Sequence, residues 1–358
     1  MNADLIRSVQ KCSRLSGYEF DLPKELIAQY PTKNRVDSRM LVLNRVTGEI
    51  EHRRFSDVVN YFSPGDLLVL NDTKVIPARI VGNKKSGAAL ELLFIEELKP
   101  NLWKVLIKSN GKLKKGEYFY FDDKTLSAKL VDRHENGCWF IEFDQHINGK
   151  EFLKQKGEVP LPPYIKRDKK NEQRLSLDRE RYQTVFAKNE GAIAAPTAGL
   201  HFDKDIFSKL REQGVETEFL TLHVGMGTFF PIKTENIQEH RMHKEYYECS
   251  DAIVRKVLET KKQKRRVIAT GTTSCRVLET IARNGDAAQY SGWTDLFIYP
   301  PYTFNYVDAL ITNFHLPRTT LLLLVCAFAG RENILNAYEV AKREGYRFFS
   351  YGDCMMII

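Results

Sequence analysis

Val267-Ile268-Ala269-Thr270-Gly271-Thr272-Thr273-Ser274, followed by a helical pattern from Cys275 to Ala282, reads as a strand, a short hydroxyl-bearing loop and a helix. A strand that feeds a helix through such a loop is an α/β unit, and the loop is a natural cradle for an anion or a ribose. Its single glycine falls short of both the dinucleotide and the P-loop fingerprints. Further strands are predicted at 218–223, 295–299, 309–313 and 347–351. Helices are predicted at 203–213, where Ile206, Phe207 and Leu210 share a face, and at 251–262, where Ile253, Val254, Val257 and Leu258 do.

Toward the N-terminus the texture changes. Residues 41–43 and 49–53 read as a hairpin turning at Thr47-Gly48, and 56–62 as a short helix with Ser56 as N-cap. Between Pro64 and about Gly157, strand-like runs at 67–70, 75–81, 89–96, 103–108, 117–121, 127–132 and 138–143 follow one another without a helix, which suggests a small antiparallel barrel. The fold class expected is α/β, a mixed sheet with helices, with an inserted antiparallel β-barrel domain. The discontinuous α/β domain takes 1–62 and 158–358, and the insert takes 63–157. Residues 166–181 are almost entirely polar and are expected to form an exposed loop or linker.

Composition bounds the function. The 358 residues are 43% hydrophobic and 28% charged, with 54 Lys and Arg against 46 Asp and Glu, a formal charge of +8. Disorder and fibrous repeats are excluded, and a polyanionic partner is favoured. The longest uncharged apolar stretch, 321–330, is about half of the roughly 20 residues needed to cross a bilayer, so no membrane association is expected. The first residues show no export signal, and the six scattered cysteines suit reduced thiols; the expected setting is cytoplasmic.

Other stretches carry chemistry. Ala194 to Phe202 is a run of small residues ending in His201 before a helix, and Leu222 to Phe229 sets His223 beside Gly225 and Gly227. Small side chains let a ligand approach the backbone, while the bland alternative is a tight turn with a buried imidazole. His240 and His243 are spaced for chelation on a helix but lack a third ligand, so no metal is expected; with Arg241, Lys244 and Tyr246 they suit phosphate or ribose better. Ile311 to Pro317 ends a strand with Thr312, Asn313 and His315, and capping by Thr319 or Thr320 explains neither Asn313 nor His315. Tyr351-Gly352-Asp353 closes the set. The basic clusters 112–115, 166–170 and 261–266 read first as solvated faces. Trp103, Tyr118, Tyr120 and Trp139 could stack bases or fill a barrel.

Taken in chain order, Asn71 to Arg79, Gly157 to Ile165, Tyr182 to Val185, Ala195 to Phe202, His223 to Thr228, Gly271 to Ser274, Ser291 to Asp295, Ile311 to Pro317 and Phe348 to Asp353 resemble the S-adenosylmethionine:tRNA ribosyltransferase-isomerase family of queuosine biosynthesis. The resemblance runs from about Tyr18 to Ile358, leaving the first fifteen residues as an extension. Lys74 stands where the family has Arg, which keeps the charge but loses bidentate phosphate geometry, and Pro301 stands where Gly is expected after Pro300.

The resemblance implies that the ribosyl portion of S-adenosylmethionine, a consumed cosubstrate, is moved onto 7-aminomethyl-7-deazaguanine at the wobble position of tRNA. The products would be epoxyqueuosine-tRNA, adenine and methionine. A carbon beside a sulfonium is acidified, so a base of pKa about 6 to 7 suffices, with His201 and His223 as candidates. Adenine needs help to leave, from Asp353, His315 or Tyr351 as an acid, and the amine must be neutral, with Asp72 as an orienting partner. The methionine carboxylate suits the N–H groups after Thr197, with Gly199, or after Gly271. Thr272, Thr273 and Asn313 suit the ribose hydroxyls, and Gly225, Gly227 and Thr228 join the cosubstrate set. Lys74, Arg79, Arg241, His243 and Lys244 are expected to contact RNA, together with the insert. A monomer is expected. The rival readings are an S-adenosylmethionine-dependent RNA methyltransferase, a noncatalytic RNA-binding protein, and a metallohydrolase using His240 and His243. The shared requirement is one cleft holding His201, His223, Thr273 and Asn313.

Overall fold

A computed structural model of the chain describes residues 13–121, 125–134, 137–167, 172–225, 232–285 and 290–358. Of these, the residues up to Lys74, Pro162–Arg167 and Arg181–Ile358 form one compact unit. Those of Val75–Leu161 and Asp168–Glu180 form a second.

The expected N-terminal hairpin is present: β1 (Arg39–Leu43) pairs antiparallel with β2 (Ile50–Arg54). The helix read at 56–62 is a 3-10 helix, Phe55–Tyr61, and its cap position is Arg54 rather than Ser56. The Asp57 carboxylate accepts the Arg54 N–H at 3.1 Å, which closes the first turn one residue earlier. β3 (Leu67–Asn71), read with the barrel strands, belongs instead to the large sheet. The single strand expected at 75–81 splits into β4 (Thr73–Val75) and β5 (Arg79–Lys84), because Pro77 lacks the N–H a ladder needs.

β6 (Ala89–Lys99), β7 (Leu102–Ser109), β8 (Tyr118–Phe121), β9 (Leu126–Arg133) and β10 (Trp139–Phe143) close with β5 into a six-stranded antiparallel barrel, in the order β10-β7-β6-β5-β8-β9. Alternate residues point inward, and Leu90, Leu92 and Phe94 of β6 are buried. Trp103 fills the barrel, its ring 5.3 Å from Phe94, whereas Tyr118 is exposed. A helix that the strand pattern did not announce, α1 (Gly149–Lys156), follows with Asn148 capping Glu151 N at 3.2 Å. The polar stretch read as a loop at 166–181 contains α2 (Glu172–Arg181). Its Glu, Gln, Arg and Leu residues are strong helix formers, and polarity alone does not oppose a helix.

β11 (Asn189–Ala192) pairs with β4. After it come α3 (Lys204–Glu212), β12 (Glu216–Leu222), β13 (Glu245–Glu248), α4 (Asp251–Lys262), β14 (Val267–Thr270), α5 (Gly271–Asn284), β15 (Ser291–Thr294), β16 (Ala309–Asn313), α6 (Thr320–Ala329), α7 (Arg331–Arg343) and β17 (Cys354–Ile357). Strands expected at 295–299 and 347–351 are displaced. Thr294 Oγ1 takes the Leu296 N–H at 3.2 Å, bending the chain after β15, and Phe349 adopts φ 71°.

Nine strands make the sheet, ordered β15-β13-β12-β3-β14-β16-β17-β1-β2. The centre, β12-β3-β14-β16, is parallel, while β13, β15, β2 and the β16–β17 pair add antiparallel neighbours. Both faces are covered, so β3 buries every residue: Leu67 and Val69 pack with helices α4 and α5, Leu68 and Leu70 with Phe202, Ile206 and Leu210. The carboxyl ends of the parallel strands bring the segments after residues 71, 222, 270 and 313 to one edge, the usual ligand edge of such sheets. No single helix among the described residues is long and apolar enough to cross a membrane.

Candidate functional site

Where β14 and β16 end, a cleft of about 1080 Å³ opens, part of it continuous with solvent. Gly271, Thr272 and Thr273 form one wall, the segment from Thr312 to Leu316 a second, and Ala194 to Ala198 a third; Pro162, Pro163, Tyr164, Tyr182, Phe349 and Ser350 complete it. Among the described lining residues there is no Asp, Glu, Lys or Arg. Gly271 sits at φ 83°, a conformation glycine adopts without strain, and begins α5 with no side chain over its open N–H groups. Thr273 Oγ1 and Asn313 Oδ1 are buried there without a hydrogen-bond partner in the protein. Buried polar atoms are rarely left so unless a ligand or water completes them.

Asn313 is held from behind. Its Nδ2 donates to Phe349 O at 3.0 Å and to His201 Nε2 at 3.2 Å. His201 Nδ1 lies 2.6 Å from Ser38 Oγ, whose hydrogen goes to Arg35 O at 2.9 Å. The imidazole therefore donates from Nδ1 and accepts at Nε2, the neutral tautomer. Burial pushes its pKa down to about 4, only partly countered by Asp353. Turning the Asn313 amide over would set Oδ1 against the Phe349 carbonyl, so the atom left for a ligand is an acceptor. His315, on the cleft wall, pairs its Nε2 with Thr312 Oγ1 at 2.9 Å, and burial lowers its pKa to about 3.

The sequence-predicted residues thus divide. Thr197, Gly271, Thr272, Thr273, Asn313 and His315 line the cleft. His201 stands behind it, lining a smaller cavity with Tyr351, Arg35 and Ser38. Gly199 is not on the cleft: a Cβ there would come within 2.9 Å of Thr184 and Phe186, so the glycine serves packing. Gly225 gives its N–H to Glu245 at 2.9 Å. Gly227 and Thr228 lie outside the described residues.

Asp72 and His223 form a separate cluster. The Asp72 carboxylate accepts from Thr221 Oγ1 at 2.6 Å and from Asn189 Nδ2 at 3.2 Å, while His223 Nδ1 meets Thr73 Oγ1 at 2.8 Å. Asp353, considered as an acid, accepts from Arg39 N, Arg347 N and Arg347 Nη2 at 3.0, 2.8 and 3.1 Å, contacts that tie the start of β17 to β1. Of the residues expected at RNA, Lys74 pairs with Glu190 at 3.0 Å and Arg79 with Glu158 at 2.5 Å. The Arg79 head is committed to carboxylates and largely buried. Arg241 and Lys244 are exposed, His243 partly so. His240 and His243 recruit no further ligand, and among the described residues no three His, Cys, Asp or Glu side chains converge. Residue types alone did not mark Tyr164, Tyr182 and Ser350 as cleft residues; the Pro162-Pro163-Tyr164 run was the available signal.

A family model described as queuosine biosynthesis protein matches residues 15–357. The chain belongs to the queuosine biosynthesis protein family. It is 50% identical over 345 residues to the S-adenosylmethionine:tRNA ribosyltransferase-isomerase of Thermotoga maritima, covering 96% of this chain and 100% of that one. It is 51% identical over 344 residues to the enzyme of the same name from Thermosipho melanesiensis, covering 96% and 99%. The crystal structure of S-adenosylmethionine tRNA ribosyltransferase from Thermotoga maritima superposes with a TM-score of 0.54 at 39% identity, covering 95% of this chain and 99% of that one. The family-like blocks at Pro162–Tyr164, Ala195–Ala198, Gly271–Thr273 and Thr312–Leu316 all meet at the cleft.

Proposed function

We propose that this chain transfers and isomerises the ribosyl moiety of S-adenosylmethionine onto 7-aminomethyl-7-deazaguanine at the wobble position of tRNA, giving epoxyqueuosine-tRNA and releasing adenine and methionine. The observation that carries this reading is the uncharged cleft with two unpartnered buried polar atoms, Thr273 Oγ1 at the start of α5 and Asn313 Oδ1 at the end of β16, in a family whose named members act on these substrates. Bound there, the cosubstrate supplies a sulfonium that acidifies the neighbouring carbon and the ribosyl skeleton that is moved. The open N–H groups at the start of α5 suit its carboxylate, and the Thr272 and Thr273 hydroxyls suit ribose oxygens. Asn313 Oδ1 accepts an N–H such as that of the adenine amino group, and Tyr164, Phe314 and Phe349 supply apolar walls.

His201 then acts as a positioning residue. Its ring nitrogens are both engaged and its proton affinity is too low for the base first considered. On this reading the chain works in the cytoplasm, where the tRNA is, and calls on no metal. The test incubates the protein with S-adenosylmethionine and tRNA carrying the aminomethyl base. Free adenine with a five-carbon mass gain on the RNA is the expected result. A one-carbon gain with S-adenosylhomocysteine would establish methyl transfer instead, and no adenine release would leave only RNA binding.

A further inference from the structure

At the β15 edge of the sheet, one face carries a row of rings across three strands. β13 and β15 set Tyr246 opposite Trp293; in their pleat Glu245, Tyr247 and Thr294 point inward and Tyr246, Glu248 and Trp293 outward. Directly after the next strand, β12, comes His223, whose N–H donates to Tyr246 O at 2.9 Å. The His223 and Tyr246 rings lie nearly parallel, at 20° with centroids 6.3 Å apart, and Tyr246 meets Trp293 at 5.6 Å and 64°. The inner end of the row is closed. Gly191 backs the imidazole so closely that a Cβ would fall 2.8 Å from it, and Thr73 holds Nδ1.

The outer end is open. Trp293 is 63% exposed, the most exposed aromatic side chain among the described residues. Leaving an indole in water forgoes one of the largest single burial gains available to a side chain. It is also held in place: beneath it, Arg276 pairs with buried Glu245 and donates to Leu296 O at 3.2 Å, which locks β13 to the chain leaving β15. Two exposed cations, Arg241 and Lys244, lie on the segment entering β13, with Lys244 next to Glu245, the partner of Thr294. Of the acids on this face, Glu248 is engaged by the Tyr246 hydroxyl, whose pKa it raises, and Asp295, directly after β15, is exposed.

We infer that Trp293 is a stacking platform for an unpaired base of the RNA substrate, with Arg241 and Lys244 holding the adjoining phosphates. An ordered, open aromatic face beside free cations is the arrangement by which single-stranded nucleic acid is held without base-specific hydrogen bonds. A protein partner or a second copy of the chain would call for a continuous apolar patch, whereas this is one ring with a charged rim. The inference rests on the RNA-modifying function proposed above and adds the surface that receives the loop.

The test measures affinity for an anticodon stem-loop RNA by fluorescence anisotropy for the wild type, Trp293→Ala, Trp293→Phe and Arg241→Ala/Lys244→Ala, at several salt concentrations. Trp293→Ala weakens binding roughly tenfold with an unchanged salt slope, and Trp293→Phe restores most of it. The double cation variant reduces the salt slope by about two. S-adenosylmethionine binding stays at the wild-type level in all variants. Equal RNA affinity in the wild type and Trp293→Ala overturns the platform. So does a change in oligomeric state on that substitution, which would make the ring a contact between copies. Wild-type turnover in the adenine-release assay separates this failure from failure of the function itself: active enzyme with an inert Trp293→Ala sinks only the platform.

Discussion

Asn313 Nδ2 lies 3.2 Å from His201 Nε2, and that contact joins the Phe349 carbonyl in fixing which atom of the amide faces the cleft. Asn313→Leu removes the acceptor and is expected to weaken S-adenosylmethionine binding about three- to tenfold, the worth of one neutral hydrogen bond, as read by calorimetry. His201→Ala removes one of the two contacts that fix the amide and leaves the Phe349 carbonyl as the other, so the effect is modest and falls mainly on KM for the cosubstrate. A fall in kcat of several orders of magnitude with KM unchanged would restore His201 as the base.

Acid should destabilise the fold through its neutral imidazoles. His201 and His315 titrate in the native state at about 4 and about 3, against 6.5 when free. Between those values the unfolded chain binds protons that the native chain refuses, so stability falls as pH drops below 6.5 and continues falling toward 4 and then 3. The urea midpoint should be lower at pH 5 than at pH 7, and His315→Asn should flatten part of that slope. An identical slope in the variant would mean other groups set it.

Arg276 and Glu245 are 5% and 4% exposed, and the pair has few means of rehydration when broken. Arg276→Met strands a buried carboxylate and is expected to cost about 3–5 kcal/mol in chemical denaturation. Removing both charges, as in Glu245→Leu/Arg276→Met, should recover much of that loss, though the Gly225 N–H then loses its acceptor.

Gly352 has no room for a methyl group: a Cβ would overlap the Arg347 carbonyl and the Phe348 carbonyl carbon. Gly352→Ala should lower stability by about 1–3 kcal/mol. Because the same turn carries the Phe349 carbonyl that holds Asn313, cosubstrate affinity should fall as well. Full retention of both would show that the turn relaxes independently of the cleft.

Much of the fold is legible because its signals are local. Residues 267–270 and 309–313 match β14 and β16 residue for residue, and barrel strands such as 89–96 differ mainly at their ends. The errors arise where a side chain intercepts the backbone, as Thr294 does after β15, or where a polar composition conceals a helix, as in α2. The site was legible as residue types and not as roles. That His201 is saturated depends on Ser38 and Asn313, 163 and 112 positions away in sequence, and no local pattern reports which lone pair such partners occupy. Trp293 raised no separate expectation, since an exposed indole and a core indole are written with the same letter.

Because the described cleft wall holds no ionisable carboxylate, ammonium or guanidinium, ionic strength becomes a means of uncoupling the two substrates. Capture of the small sulfonium compound there depends on dipoles and shape, which added electrolyte scarcely touches, while the nucleic acid sheds condensed counterions on docking and is released as electrolyte rises. A titration with potassium chloride should therefore empty the protein of its macromolecular substrate first and leave the nucleoside cosubstrate in place.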